Sequence, residues 1–378
     1  MDTPSNATLN ELRERVTAAR GEHRALRLRG AATKDFYAEE FGGKSDETGP
    51  NGGPALEHEV LDLRPYRGIV DYEPSELVIT ARCGTPLLEI ESVLADRNQF
   101  LAFEPPVFGA GSTLGGVVAA GLSGPRRLYA GAARDFVLGT TLLDASGQIL
   151  RFGGQVMKNV AGFDVSRLLC GSLGILGIIT EVSLKVLPLP RAEQTLRFEM
   201  SAKEAVAAFN RWSGQPLPLS GAAWYDGLTW LRLSGAASAV HAARERLGGE
   251  LVDPTSAIPW WNALRDHRHP IFDSAVLWRL SLPDTTLPLE LPGQLLIDWG
   301  GALRWYASES STPDARGIDH VRNAATNAGG TAMCWRGPVP RGKRFHPLPP
   351  AVADLHRRLK QRFDPHGIFN PGRMIAGL

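Results

Sequence analysis

The sequence predicts an α+β fold divided among more than one domain. The chain has 378 residues, which is longer than one ordinary domain. Its hydrophobic fraction of 43% and its charged fraction of 21% are typical of a soluble globular protein. Segments with a two-residue apolar period alternate with segments of helical period, so helices and strands are mixed along the chain. The net charge of +1 argues against nucleic acid as a partner.

The N-terminal half predicts helices and strands that can be assigned in order. The first helix begins with Thr8 and Glu11 at capping-box spacing. A later pair of strands flanks an Asp-Ala-Ser-Gly turn, which predicts a hairpin. The predicted elements are a helix at 8–20, strands at 25–30, 58–63 and 77–84, a helix at 85–98, a hairpin at 135–154 and a buried strand at 176–190. The last strand ends in prolines, so we expect a domain boundary near residue 190.

The next segment predicts the ferredoxin-like order β-α-β-β-α-β. A second copy follows, in which a proline-rich connection replaces the first helix, so an internal repeat is expected. The elements are strands at 195–200, 221–225, 228–234 and 249–253 with helices at 202–213 and 236–247, then strands at 277–283, 294–299, 302–308 and 330–335 with a helix at 314–328. All nine tryptophans lie in this segment, and they are expected mainly to fill two small sheets, with a minority available for a partner surface.

Cysteines and hydropathy exclude several classes of protein. Cys83, Cys170 and Cys334 lie far apart and form no CxxC pair, so neither a zinc ribbon nor a four-cysteine iron–sulfur cluster is expected in this chain. The N-terminus has no apolar segment of signal-peptide length, and no run approaches eighteen apolar residues. We therefore expect a cytoplasmic protein with no inserted segment.

The stretch FGAGSTLGGVVAAGLSGPRR at 108–127 concentrates six glycines in twenty positions. It is not a P-loop, because Val117 stands where lysine is required, and it is not a dinucleotide fingerprint, because Leu114 replaces a glycine. Ser112 and Thr113 predict the N-cap of a helix whose free N–H groups would favour a diphosphate. The alternative is close helix packing through small residues, and the stretch alone leaves both interpretations open.

Four motifs in order support the first interpretation. They are LRLRGAATKDF, the glycine-rich stretch with the following Arg-Asp pair, VMKNVAGFDVSRLLCGSLGILGIITEVSLKVLPLP, and FDPHGIFNPGRM. In that order they resemble flavoproteins of the vanillyl-alcohol-oxidase type, which have the PCMH-type FAD-binding fold. VMKNVAGFDVSRL, GPRR and LIDWGGALRW are similar to the FAD-binding E subunits of bacterial glycolate oxidases. The resemblance implies a PCMH-type two-subdomain FAD-binding domain over 1–192, an α+β cap with duplicated ferredoxin-like order over 193–335, and a C-terminal segment, 336–378, that returns to the FAD domain.

The resemblance also implies which residues lie at the flavin. No histidine occupies the first loop, so non-covalent FAD is implied. Close packing is the implied role of Gly121 and Gly124. The implied cofactor-binding residues are Arg29, Gly30, Ala31, Ala32, Thr33, Lys34, Pro105, Gly111, Ser112, Thr113, Gly115, Gly116, Gly121, Gly124, Arg134, Asp135, Gly174, Gly177, Ile179 and Asn370.

For several of these residues a plainer role stays open. Lys34 has the alternative of a solvated loop lysine, and Arg134 with Asp135 that of a local ion pair. Asn370 stands in an Asn-Pro-Gly turn sequence, which any protein can use. Lys158 and Asn159 face either the substrate or only their own loop.

The implied function is that of the FAD subunit of a glycolate dehydrogenase complex. Glycolate, a small 2-hydroxy acid, would be oxidised to glyoxylate, and electrons would pass to an iron–sulfur subunit beside a homologous FAD-containing subunit. Partners would hold the protein on the inner face of the cytoplasmic membrane. The catalytic residues stay unassigned, and no metal is expected, because the relatives' metal motif is absent and His267 and His269 have poor ligand spacing. A self-sufficient FAD-dependent dehydrogenase and a non-catalytic scaffold remain alternatives.

Overall fold

The computed structural model describes residues 4–38, 58–154, 164–311, 314–340 and 342–375. The helices are α1 (Pro4–Gly21), α2 (Leu87–Ala95), α3 (Leu114–Ala120), α4 (Arg127–Ala130), α5 (Ala133–Phe136), α6 (Val165–Leu169), α7 (Ala202–Ser213), α8 (Ala237–Leu247), α9 (Pro254–Arg265), α10 (Ala315–Asn327) and α11 (Pro350–Phe363). The strands are β1 (Ala25–Arg29), β2 (His58–Asp62), β3 (Ile69–Glu73), β4 (Val78–Arg82), β5 (Gln99–Phe100), β6 (Val137–Leu143), β7 (Ile149–Gly153), β8 (Ile178–Lys185), β9 (Leu187–Pro188), β10 (Ala192–Glu199), β11 (Leu219–Tyr225), β12 (Leu228–Gly235), β13 (Glu250–Val252), β14 (Leu277–Ser281), β15 (Gly293–Asp298), β16 (Leu303–Ser308) and β17 (Thr331–Arg336). In these ranges no helix is both long enough and apolar enough to cross a bilayer.

The first subdomain is a small layer of one helix on two strands. β1 and β2 pair in parallel. Leu12 and Val16 of α1 pack with Leu26 and Leu61 of the strands because the apolar residues of α1 recur at helical spacing. The C-terminal segment closes this layer, since Phe369 forms a parallel bridge with Leu26.

The second subdomain is a five-stranded antiparallel sheet covered by α2 and α3. Its strand order is β3-β4-β8-β6-β7, and β6 with β7 form the predicted hairpin. β3 was not among the predicted strands, because its pattern of apolar residues is too short to recognise. Val117 and Val118 of α3 are buried in the core of this sheet, so the glycine-rich stretch is held between the sheet and the first subdomain.

The cap, residues 192–336, is built on one eight-stranded antiparallel sheet of order β13-β10-β12-β11-β15-β16-β14-β17. Each half repeats the ferredoxin-like strand order from its outer edge inward, which confirms the internal repeat. The expectation of two small sheets is wrong. β11 pairs with β15 through Trp224 with Ile297 and Tyr225 with Leu296, and this pairing makes the two halves continuous. The limits of the domains at 192 and 335 stay a prediction.

The tryptophans are mainly core side chains, as expected, and none of the nine has an exposed side chain. Trp224 and Trp260 are half-buried. Trp260 stacks on Trp230 with 4.3 Å between the ring centroids, and this stack covers one face of the sheet. The buried tryptophans are Trp212, Trp230, Trp261, Trp278, Trp299, Trp305 and Trp335.

Helix α9 is the main element that the sequence pattern does not predict. Pro259 lies inside it, and an internal proline normally argues against a helix. Asp253 caps the helix by accepting a hydrogen bond of 2.8 Å from the N–H of Thr255. Just after α9, Asp266 accepts a hydrogen bond of 3.0 Å from the N–H of Val107 and ties the cap to the N-terminal region.

Candidate functional site

The loop after β1 presents a row of unused backbone donors. The N–H groups of Ala31, Ala32, Thr33 and Lys34 donate no hydrogen bond to any residue within the described ranges. All four residues line one pocket, whose empty space including its open mouth is about 560 Å³. Consecutive N–H groups directed at one space form a binding concavity for anions. The loop can therefore hold a diphosphate without a specialised side chain.

The glycine-rich stretch packs directly against this loop. A Cβ on Gly30 would lie 2.5 Å from Thr113 Oγ1, and a Cβ on Gly111 would lie 2.9 Å from Ala31 Cβ. The hydroxyls of Thr33 and Ser112 are 3.1 Å apart and share a hydrogen bond. Small residues are thus needed where the two segments meet.

The N-terminus of α3 does not supply the free donors expected from the sequence. Thr113 is the N-cap as predicted, and its Oγ1 accepts from the N–H of Gly116 at 3.4 Å. The N–H of Leu114 donates to Thr85 O at 2.9 Å, and that of Gly115 to Cys83 O at 2.8 Å. The expectation is therefore wrong for this first turn. Gly115 allows close packing, because a Cβ there would lie 2.7 Å from the Cβ of Cys83.

Asn370 braces the wall of the pocket. Its Oδ1 accepts from the N–H of Leu28 at 2.9 Å, and its Nδ2 donates to Leu173 O at 2.7 Å. The backbone N–H of Asn370 donates to Leu26 O at 3.0 Å, and its φ of 42° lies in the left-handed region, which asparagine tolerates. The amide thus joins the end of β1 to the loop at Leu173. Half of its hydrogen-bonding capacity is thus used within the chain.

Lys34 supplies positive charge beside the unused donors. Its side chain is half-buried, so the alternative of a solvated loop lysine does not fit its position. Burial lowers the pKa of Lys34 to about 8, and no carboxylate among the described residues lies within 4.0 Å of it. By contrast, Arg29 is paired with Asp35 at 2.8 Å. Lys34 is therefore the cation of this loop that an anionic ligand would neutralise.

The structure brings together about half of the residues expected at the cofactor. Gly111 and Ser112 lie against the loop, and Gly174 lies against Asn370, where a Cβ would be 2.8 Å from Nδ2. The expected residues that line the pocket are Arg29, Gly30, Ala31, Ala32, Thr33, Lys34, Thr113, Gly116 and Asn370.

Other expected residues lie away from this pocket. Arg134 and Asp135 form an exposed ion pair of 3.9 Å on α5, which fits the local alternative. Gly177 packs on Leu142, and Ile179 is buried in the core of the sheet. The remaining residues outside the pocket lining are Pro105, Gly115, Gly121 and Gly124. Lys158 and Asn159 fall outside the described residues.

Sequence reasoning missed several residues of the pocket wall. Tyr37 and Arg373 are among them, and Arg373 donates to Asp35 O at 2.7 Å, which ties the C-terminal segment to the loop. The only signal for Tyr37 was its place directly after the first motif. The missed lining residues are Leu28, Asp35, Tyr37, Ala119, Ala120, Leu173 and Arg373.

The donors present fit the diphosphate of a dinucleotide better than a metal ion. The pocket combines unused N–H groups with one half-buried lysine, and both favour an anion. Within the described ranges, no group of three or more His, Cys, Asp or Glu side chains is placed to hold a metal.

Comparisons with known proteins agree with this geometry. Residues 7–153 match the family described as FAD binding domain. The chain is 46% identical over 368 residues to the glycolate oxidase subunit GlcE of Escherichia coli (strain K12), with 97% of each chain covered. It is 34% identical over 137 residues to the glycolate oxidase subunit GlcD of Bacillus subtilis, covering 36% of this chain and 29% of that one. A solved structure of alkyldihydroxyacetonephosphate synthase shares the fold, with a TM-score of 0.66 at 16% identity over 96% of this chain and 74% of that one. The resemblance inferred from the motifs is thus confirmed, and the chain belongs to the family of the glycolate oxidase subunit GlcE and carries its FAD-binding domain.

Proposed function

We propose that this chain is the FAD-binding subunit of a complex that oxidises glycolate to glyoxylate and passes the electrons to an iron–sulfur partner. The observation that carries the proposal is the row of unused N–H groups at residues 31–34, in a chain 46% identical to a glycolate oxidase subunit. The similarity to GlcD, which is also named as a glycolate oxidase subunit, supports a complex with a second, homologous flavin subunit.

FAD is the cofactor, and we propose that it is held without a covalent bond. Among the described residues, those lining the pocket include no histidine or cysteine to which a flavin could be linked. The N–H groups of Ala31 to Lys34 would hold the diphosphate, and the ammonium of Lys34 would neutralise part of its charge. Bound FAD would serve as the acceptor for the two electrons removed from the hydroxy acid.

An iron–sulfur partner is proposed because the cysteines of this chain cannot carry electrons onward. Cys83 and Cys334 are buried, and none of the three cysteines forms a disulfide. Burial raises the pKa of the Cys83 and Cys170 thiols to about 12, so both stay protonated and unreactive at neutral pH. Attachment to the inner face of the cytoplasmic membrane would come through such partners.

An anaerobic absorbance spectrum of the purified chain, before and after adding glycolate, tests the proposal. We expect a flavin spectrum that glycolate bleaches only when the partner subunits are present. Bleaching of the isolated chain would show a self-sufficient dehydrogenase. Failure to take up flavin even after incubation with FAD would contradict the proposal and favour a scaffold.

Ala32 offers a specific test of the diphosphate loop. Its φ of 60° is in the left-handed region, where a β-branched side chain is more strained than alanine and glycine is not strained. Ala32→Val is therefore expected to weaken FAD binding at least about tenfold, equivalent to about 1.4 kcal/mol. Ala32→Gly is the matched control and should keep the affinity of the parent chain. The affinity of each variant for FAD is measured by titration and by the ratio of flavin to protein after dialysis. If Ala32→Val bound FAD as tightly as the parent, this loop would not hold the cofactor.

A further inference from the structure

A second pocket lies between the cap and the N-terminal region. We call it the interdomain pocket; its empty space including the mouth is about 310 Å³. Pro106 and Gly124 of the N-terminal region line one side, and Arg279, Asp298 and Trp305 of the cap line the other. Arg279 is on β14, paired across the sheet with Trp305 and Met333, and its side chain is on the face of the sheet that meets the N-terminal region.

Arg279 has no anionic partner among the described residues. No carboxylate of the described residues lies within 4.0 Å of its guanidinium, and its one hydrogen bond is a long one of 3.5 Å to Ser281 Oγ. Burial lowers the pKa of Arg279 in spite of the nearby Tyr37 and Asp298. Arg265, which also lines the pocket, is different, because Asp266 accepts hydrogen bonds of 2.7 and 2.9 Å from it. Arg279 is half-buried, and a partly desolvated cation without a counter-ion is stabilised by a ligand that supplies one.

A second arginine lies beside the same tryptophan, Trp299, which lines the pocket. The guanidinium of Arg127 lies 4.2 Å from the ring centroid of Trp299, and that of Arg279 lies 5.2 Å from the same centroid. Burial, and then the charge of Arg279, lower the pKa of Arg127. Neither arginine has an ion pair with a described residue. Two like charges around one ring leave a field that attracts a small anion.

The other polar groups of the pocket do not neutralise this charge. Asp298 accepts a hydrogen bond of 2.7 Å from the N–H of Trp299, and burial raises its pKa to about 7, so it is only partly ionised at neutral pH. Burial lowers the pKa of His267 to about 3, which keeps its ring neutral, and its buried Nδ1 has no hydrogen-bond partner among the described residues.

The backbone around the pocket is also unusual. Glu104, His267 and Trp299 have φ values of 49°, 53° and 50°, in a region that residues other than glycine rarely occupy. Such conformations persist where surrounding contacts enforce them, and they are common at binding sites.

Arg279 interacts electrostatically with a residue of the pocket that holds the row of unused N–H groups. Tyr37 lines that pocket, and the charge of Arg279 acts on its hydroxyl. An anion beside Arg279 would thus lie near a ligand in the first pocket.

We propose that Arg279 binds the carboxylate of a small 2-hydroxy acid in the interdomain pocket, with Arg127 supplying a second positive charge. The guanidinium fork matches a carboxylate in two parallel hydrogen bonds. Leu264, Trp299 and Trp305 form apolar walls beside the guanidinium. The identity of the acid rests on the proposed function, whereas the anion site rests on the unpaired arginines.

Binding of oxalate and glycolate to the FAD-loaded chain tests this inference without turnover. Oxalate is a short carboxylate with no hydroxyl to oxidise. Its titration is followed by the fluorescence of the neighbouring tryptophans and by the flavin difference spectrum. We expect Arg279→Gln to weaken binding at least tenfold, Arg279→Lys to weaken it less, and Arg127→Gln to weaken it several-fold. Arg246→Gln, an exposed arginine on α8, is the matched control and should bind as the parent does.

The unfolding midpoint of the variant distinguishes a binding role of Arg279 from a structural role. Loss of a half-buried charge that has no anionic partner among the described residues is expected to leave the unfolding midpoint of Arg279→Gln equal to or above that of the parent, whereas loss of a structural arginine would lower it. Parent-like oxalate binding by both Arg279 variants, or no oxalate binding by the parent, would overturn the inference. The proposed function would survive that result if the assembled complex still oxidised glycolate. Conversely, arginine-dependent oxalate binding in a complex inactive with glycolate would support the anion site and reject the proposed substrate.

Discussion

Replacing Lys360 with methionine is expected to lower the free energy of unfolding by about 3–5 kcal/mol, because it leaves a buried carboxylate without its counter-charge. The Nζ of Lys360 donates three hydrogen bonds: 2.6 Å to Asp364 Oδ2, 2.7 Å to Ile175 O and 2.7 Å to Phe369 O. Burial lowers the pKa of Lys360, yet all its donors are used within the chain. Asp364 in turn accepts from the N–H of Phe369 at 2.8 Å. The pair holds the C-terminal segment against the N-terminal region.

The same substitution should also reduce the affinity for FAD, since Phe369 directly precedes the brace at Asn370. Chemical denaturation followed by tryptophan fluorescence measures the first effect, and flavin retention measures the second. Arg362→Met is the control, because Arg362 is exposed on the same helix. Adding Asp364→Asn to Lys360→Met should recover part of the stability by removing the unpaired charge. A loss of less than 1 kcal/mol for Lys360→Met would show that this pair contributes little.

Replacing Glu104 with glutamine is expected to lower the free energy of unfolding by a similar amount, about 3–5 kcal/mol. Glu104 bridges the N-terminal region and the cap, with Oε1 2.9 Å from Arg232 Nη2 and 3.3 Å from Arg126 Nε. Arg126 has a second partner in Glu193 at 2.7 Å, whereas Arg232 has only Glu104 as an ion-pair partner within the described ranges. The glutamine keeps the shape of the side chain but leaves the buried Arg232 uncompensated.

The ion pairs of Glu104 also predict that the free energy of unfolding depends on pH. Burial alone would raise its pKa, but the charges of Arg232 and Arg126 outweigh burial and hold the pKa below 4.5. The unfolded state therefore binds more protons than the folded state as the pH falls below about 4.5, and stability decreases with acidification. Denaturation between pH 7 and pH 4 should show a flatter profile for Glu104→Gln than for the parent. Glu89→Gln, exposed on α2, is the control; an equal slope in parent and Glu104→Gln would contradict the expected role.

Much of the fold follows from local pattern. The ferredoxin-like repeat is visible because each strand and helix of the cap has its own periodicity and its own turn residues. Helix α9 escapes this reasoning, because packing of Trp261 and Leu264 stabilises a helix in spite of Pro259. The joining of the two halves also escapes it, since the pairing of β11 with β15 connects residues about seventy positions apart.

The candidate site, like the fold, could be predicted only in part from the sequence. The motif at residues 26–36 locates the loop because small residues and glycine mark a backbone that approaches another segment. The sequence could not predict which backbone N–H groups are already used. The pattern favours the first turn of α3, but its N–H groups donate to the carbonyl oxygens of Thr85 and Cys83. The N–H groups of residues 31–34, by contrast, donate to no described residue.

The sequence by itself determined most of the order of helices and strands, the repeat in the cap, the family and the position of the loop at residues 31–34, because these depend on residues close together in the chain. Only the tertiary structure decided which charges have partners. Lys360 lies in the last turn of α11 and Asp364 directly follows that helix, yet their ion pair matters for stability because distant segments bury it. Arg279 and Arg127 come from different parts of the chain and meet at Trp299. The electrostatic free energy of a charge depends on its burial and on its nearest counter-charge, and both are set by packing between elements remote in sequence.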